Sequence, residues 1–199
     1  MPPIRIPHFS DNYFEICSSL SAIISIHEVI NAKQNDIVDS ITRDEVYDDD
    51  PEVNASISFS MQRYTEKNVS RLSVYSYILL VCSGMEKAIR LLQKDGVDKK
   101  NKNEDYGEYF KRSGLVPEIT EVEISRINDL LILRHWISHR NGRVNLQKVS
   151  DKEKAVLERA GDNIRKEDEY ILVSYDYVNS TAKVIDDILK RIAKRKYEE

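Results

Sequence analysis

Cysteine, proline, glycine and long apolar runs are all scarce in this chain of 199 residues, and each scarcity removes a class of explanation. The two cysteines, Cys17 and Cys82, sit inside apolar helical patterns without CxxC or metal-like spacing. A disulfide scaffold and a cysteine-based metal site are therefore excluded, and buried thiols in a reducing compartment are expected. The five prolines all lie at or before Pro117, so the last 82 residues contain none to interrupt a helix. The longest uninterrupted apolar run, Tyr77 to Cys82, is far shorter than the roughly 20 residues that span a bilayer. The amino-terminal Met1-Pro-Pro-Ile-Arg-Ile-Pro7 lacks the apolar centre of a signal peptide. Neither membrane insertion nor secretion is expected, and the expected location is the cytoplasm. A basic excess is missing too. The net charge of −4 argues against indiscriminate coating of nucleic acid, which depends on neutralising many phosphates.

What remains, 41% hydrophobic and 32% charged residues, is the composition of a globular protein. The patterning points to an all-α fold, an up-and-down bundle of about five main helices with a small hairpin near 164–173. One domain is expected over 1–199, an amino-terminal helix and acidic loop (1–55) preceding the core bundle (56–199). The first helix is expected from Asp11, capped by Ser10 or Asp11, with Phe14, Cys17, Leu20, Ile23, Ile24, His27 and Ile30 at helical spacing. His27 on that stripe reads as a packed residue.

Residues 35–55, rich in Asp and Asn and holding Pro51, read as an exposed connection with a short helical turn around 37–46. A long helix follows from about Ser58 to Lys94, apolar on nearly every side between Tyr75 and Cys82, and Gly96 stops it. Tyr106–Arg112 forms a short helix. Pro117 is expected to open the next helix, whose stripe runs through Val122, Ile127, Leu130, Leu131, Leu133 and Ile137. Asp151–Ala160 is a short helix closed by Gly161. Ser174 caps the last, with Val178, Ala182, Ile185, Ile188, Leu189 and Ile192 inward and a basic end that suits the helix dipole.

Chemistry concentrates in residues 130–142, Leu-Leu-Ile-Leu-Arg-His-Trp-Ile-Ser-His-Arg-Asn-Gly, where an apolar helix ends in two histidines, two arginines and a helix-stopping Asn-Gly. From Leu130 to Ser150 there are four basic residues, Arg134, Arg140, Arg143 and Lys148, and no acid. Two chemistries compete. His135 and His139, four apart, share a helix face as zinc ligands do, but no Glu lies between them and no third ligand is in evidence. Alternatively Arg134 and His139 act on a phosphodiester. The imidazole, which titrates near neutrality, moves protons, and the planar guanidinium meets the charge that builds on phosphorus.

The string Arg134-His-Trp-Ile-Ser-His139 resembles the Arg-x4-His signature of the HEPN family of helical domains. The apolar helix before it and the Arg140-Asn141-Gly142 turn after it are typical of that family, and the likeness covers roughly 56–196. The resemblance implies a metal-independent endoribonuclease that makes the ribose 2′-hydroxyl attack the adjacent phosphate in a cleft shared by a homodimer. It implies Arg134 and His139 as the catalytic pair, supported by His135, Asn141 and Glu86. Arg140, Arg143 and Lys148 would bind RNA. No cofactor or metal is expected, and the implied partners are RNA, a second copy, and an antitoxin or regulatory protein. A role as a toxin or antiphage effector would follow family habit. The alternative is a non-catalytic HEPN module for dimerisation or nucleotide binding that partners another protein. Plainer roles stay open: Trp136 and Ile137 as core or interface, Glu86 as an ion-pair partner of Arg90, His135, Arg140 and Arg143 as helix-end residues.

Overall fold

The computed structural model describes residues 11–42, 49–101, 104–114, 119–145 and 148–198. Within them the chain is all-α apart from one hairpin: α1 (Asp11–Ala32), α2 (Gln34–Thr42), α3 (Pro51–Lys94), α4 (Tyr106–Arg112), α5 (Glu121–Arg140), α6 (Asp151–Ala160), β1 (Ile164–Glu167), β2 (Tyr170–Val173) and α7 (Tyr175–Glu198).

Four long helices make the bundle. α1 packs on α3, α3 on α5, α5 on α7 and α7 back on α1, which closes a ring in chain order; α3 also touches α7. Their inward faces carry Ile16 and Leu20, Tyr77, Ile78 and Val81, Leu130, Leu133 and Trp136, and Ile185, Ile188 and Ile192, all fully buried or within 1% of it. Burying such side chains stabilises the fold by about 1.5–3 kcal/mol each. α1 thus shares one core with the rest, and α3 runs unbroken through residue 55, where a boundary before the core was expected.

α3 starts earlier than the sequence pattern suggests. Pro51 occupies the first turn, where its missing N–H has no helical partner to lose, and the Asp50 carboxylate accepts from the backbone N–H of Glu52 and Val53. The proline that reads as a loop marker is a helix opener. At about 1.5 Å per residue the 44-residue helix is about 66 Å long. Its first twenty residues bury nothing fully, and burial begins at Val74; α3 also packs on α2, a full helix in place of the expected short turn. The acidic stretch 43–48 and Ser10 lie outside the described residues.

α5 begins later than expected. Its cap is Thr120, whose hydroxyl accepts from the Glu123 N–H while Glu123 reaches back to the Thr120 N–H. Pro117 and Glu118 lie outside the described residues. The same capping box opens α4 (Asp105, Glu108) and α6 (Ser150, Glu153). The hairpin near 164–173 is present, with Ile164 opposite Val173 and Glu167 opposite Tyr170.

Among the described residues two helices, α1 and α3, are long and apolar enough to cross a membrane, although uninterrupted apolar runs are short. In α3 56% of the apolar window is buried inside the bundle, the burial of a core helix, and in α1 22%.

Candidate active site

Three contacts fix how α5 lies against α3. The Cys82 Sγ–H donates to the Leu130 carbonyl at 3.9 Å, Arg134 reaches Glu86, and Tyr75 sits against Gly142. Tyr77 meets Asn179 and Asp95 meets Tyr197, so α3 runs parallel to α7, whereas Asp129 meets Tyr177 and Glu123 meets Arg191, so α5 runs antiparallel to both. That packing buries Cys82, and burial pushes its thiol up to about 12.

Arg134 leaves α5 at the edge of its buried face. Its Nη1 donates to Glu86 Oε1 of α3 at 2.5 Å, and Arg90 Nη2 approaches Glu86 Oε2 at 3.9 Å. Glu86 pairs with Arg90 one turn on and, at shorter range, crosses to Arg134. A guanidinium so anchored keeps a fixed fork while its side chain stays 37% exposed. Behind the pair, Glu86, Arg90, Lys100 and Tyr106 line a small pocket of about 350 Å³.

His135 and His139 are both exposed on the outer face of α5, with ring centroids 4.7 Å apart and planes tilted by 41°. Five residues separate Arg134 from His139, about 140° around the helix. Among the described residues no hydrogen bond joins them, so one chain brings Arg134 to Glu86 and His139 to His135 rather than the pair to each other. Among the described residues no group of three or more His, Cys, Asp or Glu is placed to hold a metal ion.

The helix stops because Asn141 adopts the left-handed conformation (φ 49°), followed by Gly142 (φ 73°), whose N–H donates to the Trp136 carbonyl. Asn141 therefore serves as the helix cap, and among the described residues no hydrogen bond joins it to the Arg134 or His139 side chain. The chain then runs beside the hairpin: Val144 N–H donates to the Glu169 carbonyl, and Ile171 N–H to that of Gly142. The Tyr75 hydroxyl donates to the Ile171 carbonyl from the other side.

Trp136 is fully buried, and its indole N–H donates to Glu153 of α6. Glu153 also accepts from Arg140 Nη1 at 3.2 Å and from the Ser150 N–H and hydroxyl. Burial pushes the Glu153 carboxyl up, but these donors outweigh it and hold it at about 2. Sequence reading misses Glu153 as part of this region. The Ser-x-x-Glu capping box is legible at 150–153, whereas its reach to Trp136 and Arg140 needs the tertiary packing.

Arg140, Arg143 and Lys148, expected to bind RNA, do share a site. They line one cleft of about 960 Å³ together with Asn145, Lys166 and Glu169. Arg143 is steadied by Glu169 at 3.4 Å and by the Tyr170 hydroxyl at 3.3 Å. The Tyr170 ring in turn holds two guanidinium groups, Arg71 at 4.0 Å from its centre and Arg143 at 5.5 Å. Lys166 went unnoticed in the sequence because it comes from β1, beyond an intervening helix.

No protein-family model, curated protein or solved structure matches the chain.

Proposed function

We propose that this protein is a metal-independent endoribonuclease that cleaves RNA by 2′-hydroxyl transesterification in a composite site formed by two copies of the chain. The observation that carries the reading is the anchored Arg134, held by Glu86 at 2.5 Å, five residues before an exposed His139 on the same helix. An imidazole takes the proton of the 2′-hydroxyl as its oxygen bonds to phosphorus. The bond from phosphorus to the 5′-oxygen breaks, and that oxygen leaves with a proton from the second imidazole. The products are a 2′,3′-cyclic phosphate and a 5′-hydroxyl end. The guanidinium compensates the charge on the phosphoryl oxygens.

Two features support a second copy. Arg134 and His139 diverge on one helix, so opposing subunits would complete each other's pair. Leu72 and Leu79, 59% and 36% exposed, fall on the same α3 stripe as Glu86 at seven-residue spacing, the repeat that seals one helix against another. A toxin or antiphage role in the cytoplasm rests on the resemblance of the Arg-x4-His string alone.

The second reading, a non-catalytic dimerisation or nucleotide-binding module serving a partner protein, draws on the same ion pair, since a guanidinium neutralised by a carboxylate is less available to phosphate. One experiment separates the two. Purified protein is incubated with end-labelled RNA in EDTA beside Arg134→Ala and His139→Ala. Cleavage that survives the chelator and is lost in both variants is expected. Cleavage that needs metal, or that persists in both variants, refutes the proposal. A dimer that binds RNA without cutting it favours the second reading.

A further inference from the structure

The cleft beyond the end of α5 is lined mostly by cations. In a chain of net charge −4, its lining holds four cations, Arg140, Arg143, Lys148 and Lys166, against one carboxylate, Glu169. Glu169 is already engaged by Arg143, and Arg140 is tied back to Glu153. Lys148 and Lys166 are exposed and have no ion-pair partner among the described residues. Two ammonium groups thus face a cleft with uncompensated charge, on a frame held by the 143–170 bridge and the Gly142–Ile171 hydrogen bond.

The lining is as informative for what it excludes. Among the described residues no aromatic ring belongs to it, and nearby Tyr170 is already engaged by Arg71 and Arg143. Stacking of bases, the usual way a protein grips an unpaired strand by its bases, has no platform here. The volume of about 960 Å³ corresponds to a cube about 10 Å on a side, too small to take in a duplex, whose major groove alone is roughly 12 Å wide.

We propose that this cleft binds the sugar–phosphate backbone of single-stranded RNA, with Lys148 and Lys166 contacting phosphates and without reading base sequence. It holds the strand that flanks the scissile phosphate. That last clause rests on the ribonuclease reading; the binding does not. The cleft contributes to substrate affinity and leaves choice of the cut to the Arg134/His139 site.

The test uses full-length His139→Ala, which cannot consume its ligand under the catalytic reading, with and without Lys148→Ala, Lys166→Ala and both. Fluorescent 12-nucleotide oligouridylate and oligoadenylate, a duplex of the same length, and uridine monophosphate as competitor are titrated between 50 and 200 mM KCl. Each lysine removed is expected to weaken both single strands equally, by about three- to five-fold. Each is also expected to flatten the slope of log affinity against log salt by about 0.7. The proposal falls if the lysine variants bind as His139→Ala does, if oligouridylate and oligoadenylate respond differently, if the duplex binds more tightly than the single strands, or if uridine monophosphate displaces the strand at equal phosphate concentration. Wild-type cleavage in EDTA runs in parallel. Lysine-dependent binding without cleavage supports the cleft and overturns the catalytic reading, whereas cleavage with lysine-independent binding does the reverse.

Discussion

Replacing Gly142 by alanine tests the junction on which the whole site depends. Gly142 follows the left-handed Asn141 cap at φ 73°, and a Cβ there would lie 2.0 Å from the Tyr75 hydroxyl and 2.4 Å from the ring carbon that bears it. Two costs follow. A residue with a Cβ in the left-handed region is disfavoured by about 1–2 kcal/mol. Tyr75 must also move, which breaks its hydrogen bond to the Ile171 carbonyl and leaves buried polar atoms unmatched, at about 1–3 kcal/mol. The sum is about 2–5 kcal/mol. Gly96 supplies the control: it too has positive φ, 89°, but a Cβ there meets nothing within 4 Å, so Gly96→Ala should cost about 1–2 kcal/mol from conformation alone. For a chain of this size each kcal/mol lowers Tm by about 2–4 °C. Thermal melts followed by far-ultraviolet circular dichroism should therefore place Gly142→Ala well below Gly96→Ala. Equal losses would refute the claim that Tyr75 closes on the turn and locks the hairpin to the end of α5.

Three further outcomes follow from buried groups. Glu153→Gln should destabilise the protein at neutral pH by about 1–3 kcal/mol, because Arg140 and the Ser150 cap lose a charged acceptor. The folded carboxyl is held at about 2, below its ordinary value, so its contribution is complete above about pH 4.3 and lost as pH falls towards 2. Urea midpoints of the two proteins should converge in that window; a constant gap would show that the charge is immaterial. His27 is buried and stacked on Tyr77 at 4.3 Å, its Nδ1 has no hydrogen-bond partner among the described residues, and burial lowers its pKa. The unfolded chain then takes up a proton near pH 6.5 that the folded chain resists, and stability falls as pH drops below that value. His27→Phe should lose less stability than the wild type between pH 7.5 and 5.5, and identical losses would discard the argument. Cys82, buried and raised to about 12, should resist a thiol reagent in the native protein while half-buried Cys17 reacts; equal rates would contradict the packing of α3 against α5.

Much of the fold is written in short-range pattern. The final helix keeps Val178, Ala182, Ile185, Ile188 and Ile192 at helical spacing and all are buried, because an amphipathic stripe has one way to leave water. Gly161 ends α6 and Ser174 accepts from the Tyr177 N–H, since caps answer a need local to the chain end. The start of α3 is misplaced because Pro51 has opposite meanings inside a helix and at its first turn, and only Asp50 in capping geometry decides between them. α5 begins at Glu121, where the Thr120–Glu123 box caps it.

The candidate site divides along the same line. That Arg134, His135 and His139 share one helix, and that basic residues cluster after it, follows from sequence alone, because helical geometry converts spacing into direction. That Arg134 turns to Glu86, that Glu153 holds Trp136 and Arg140, and that Lys166 joins Lys148 across one cleft were decided by tertiary structure. Those partners stand 48, 17, 13 and 18 residues apart, and no local periodicity carries such distances. They meet because antiparallel packing of α3 and α5 and the fold-back of the hairpin bury apolar surface elsewhere, and the polar chemistry is carried along with it.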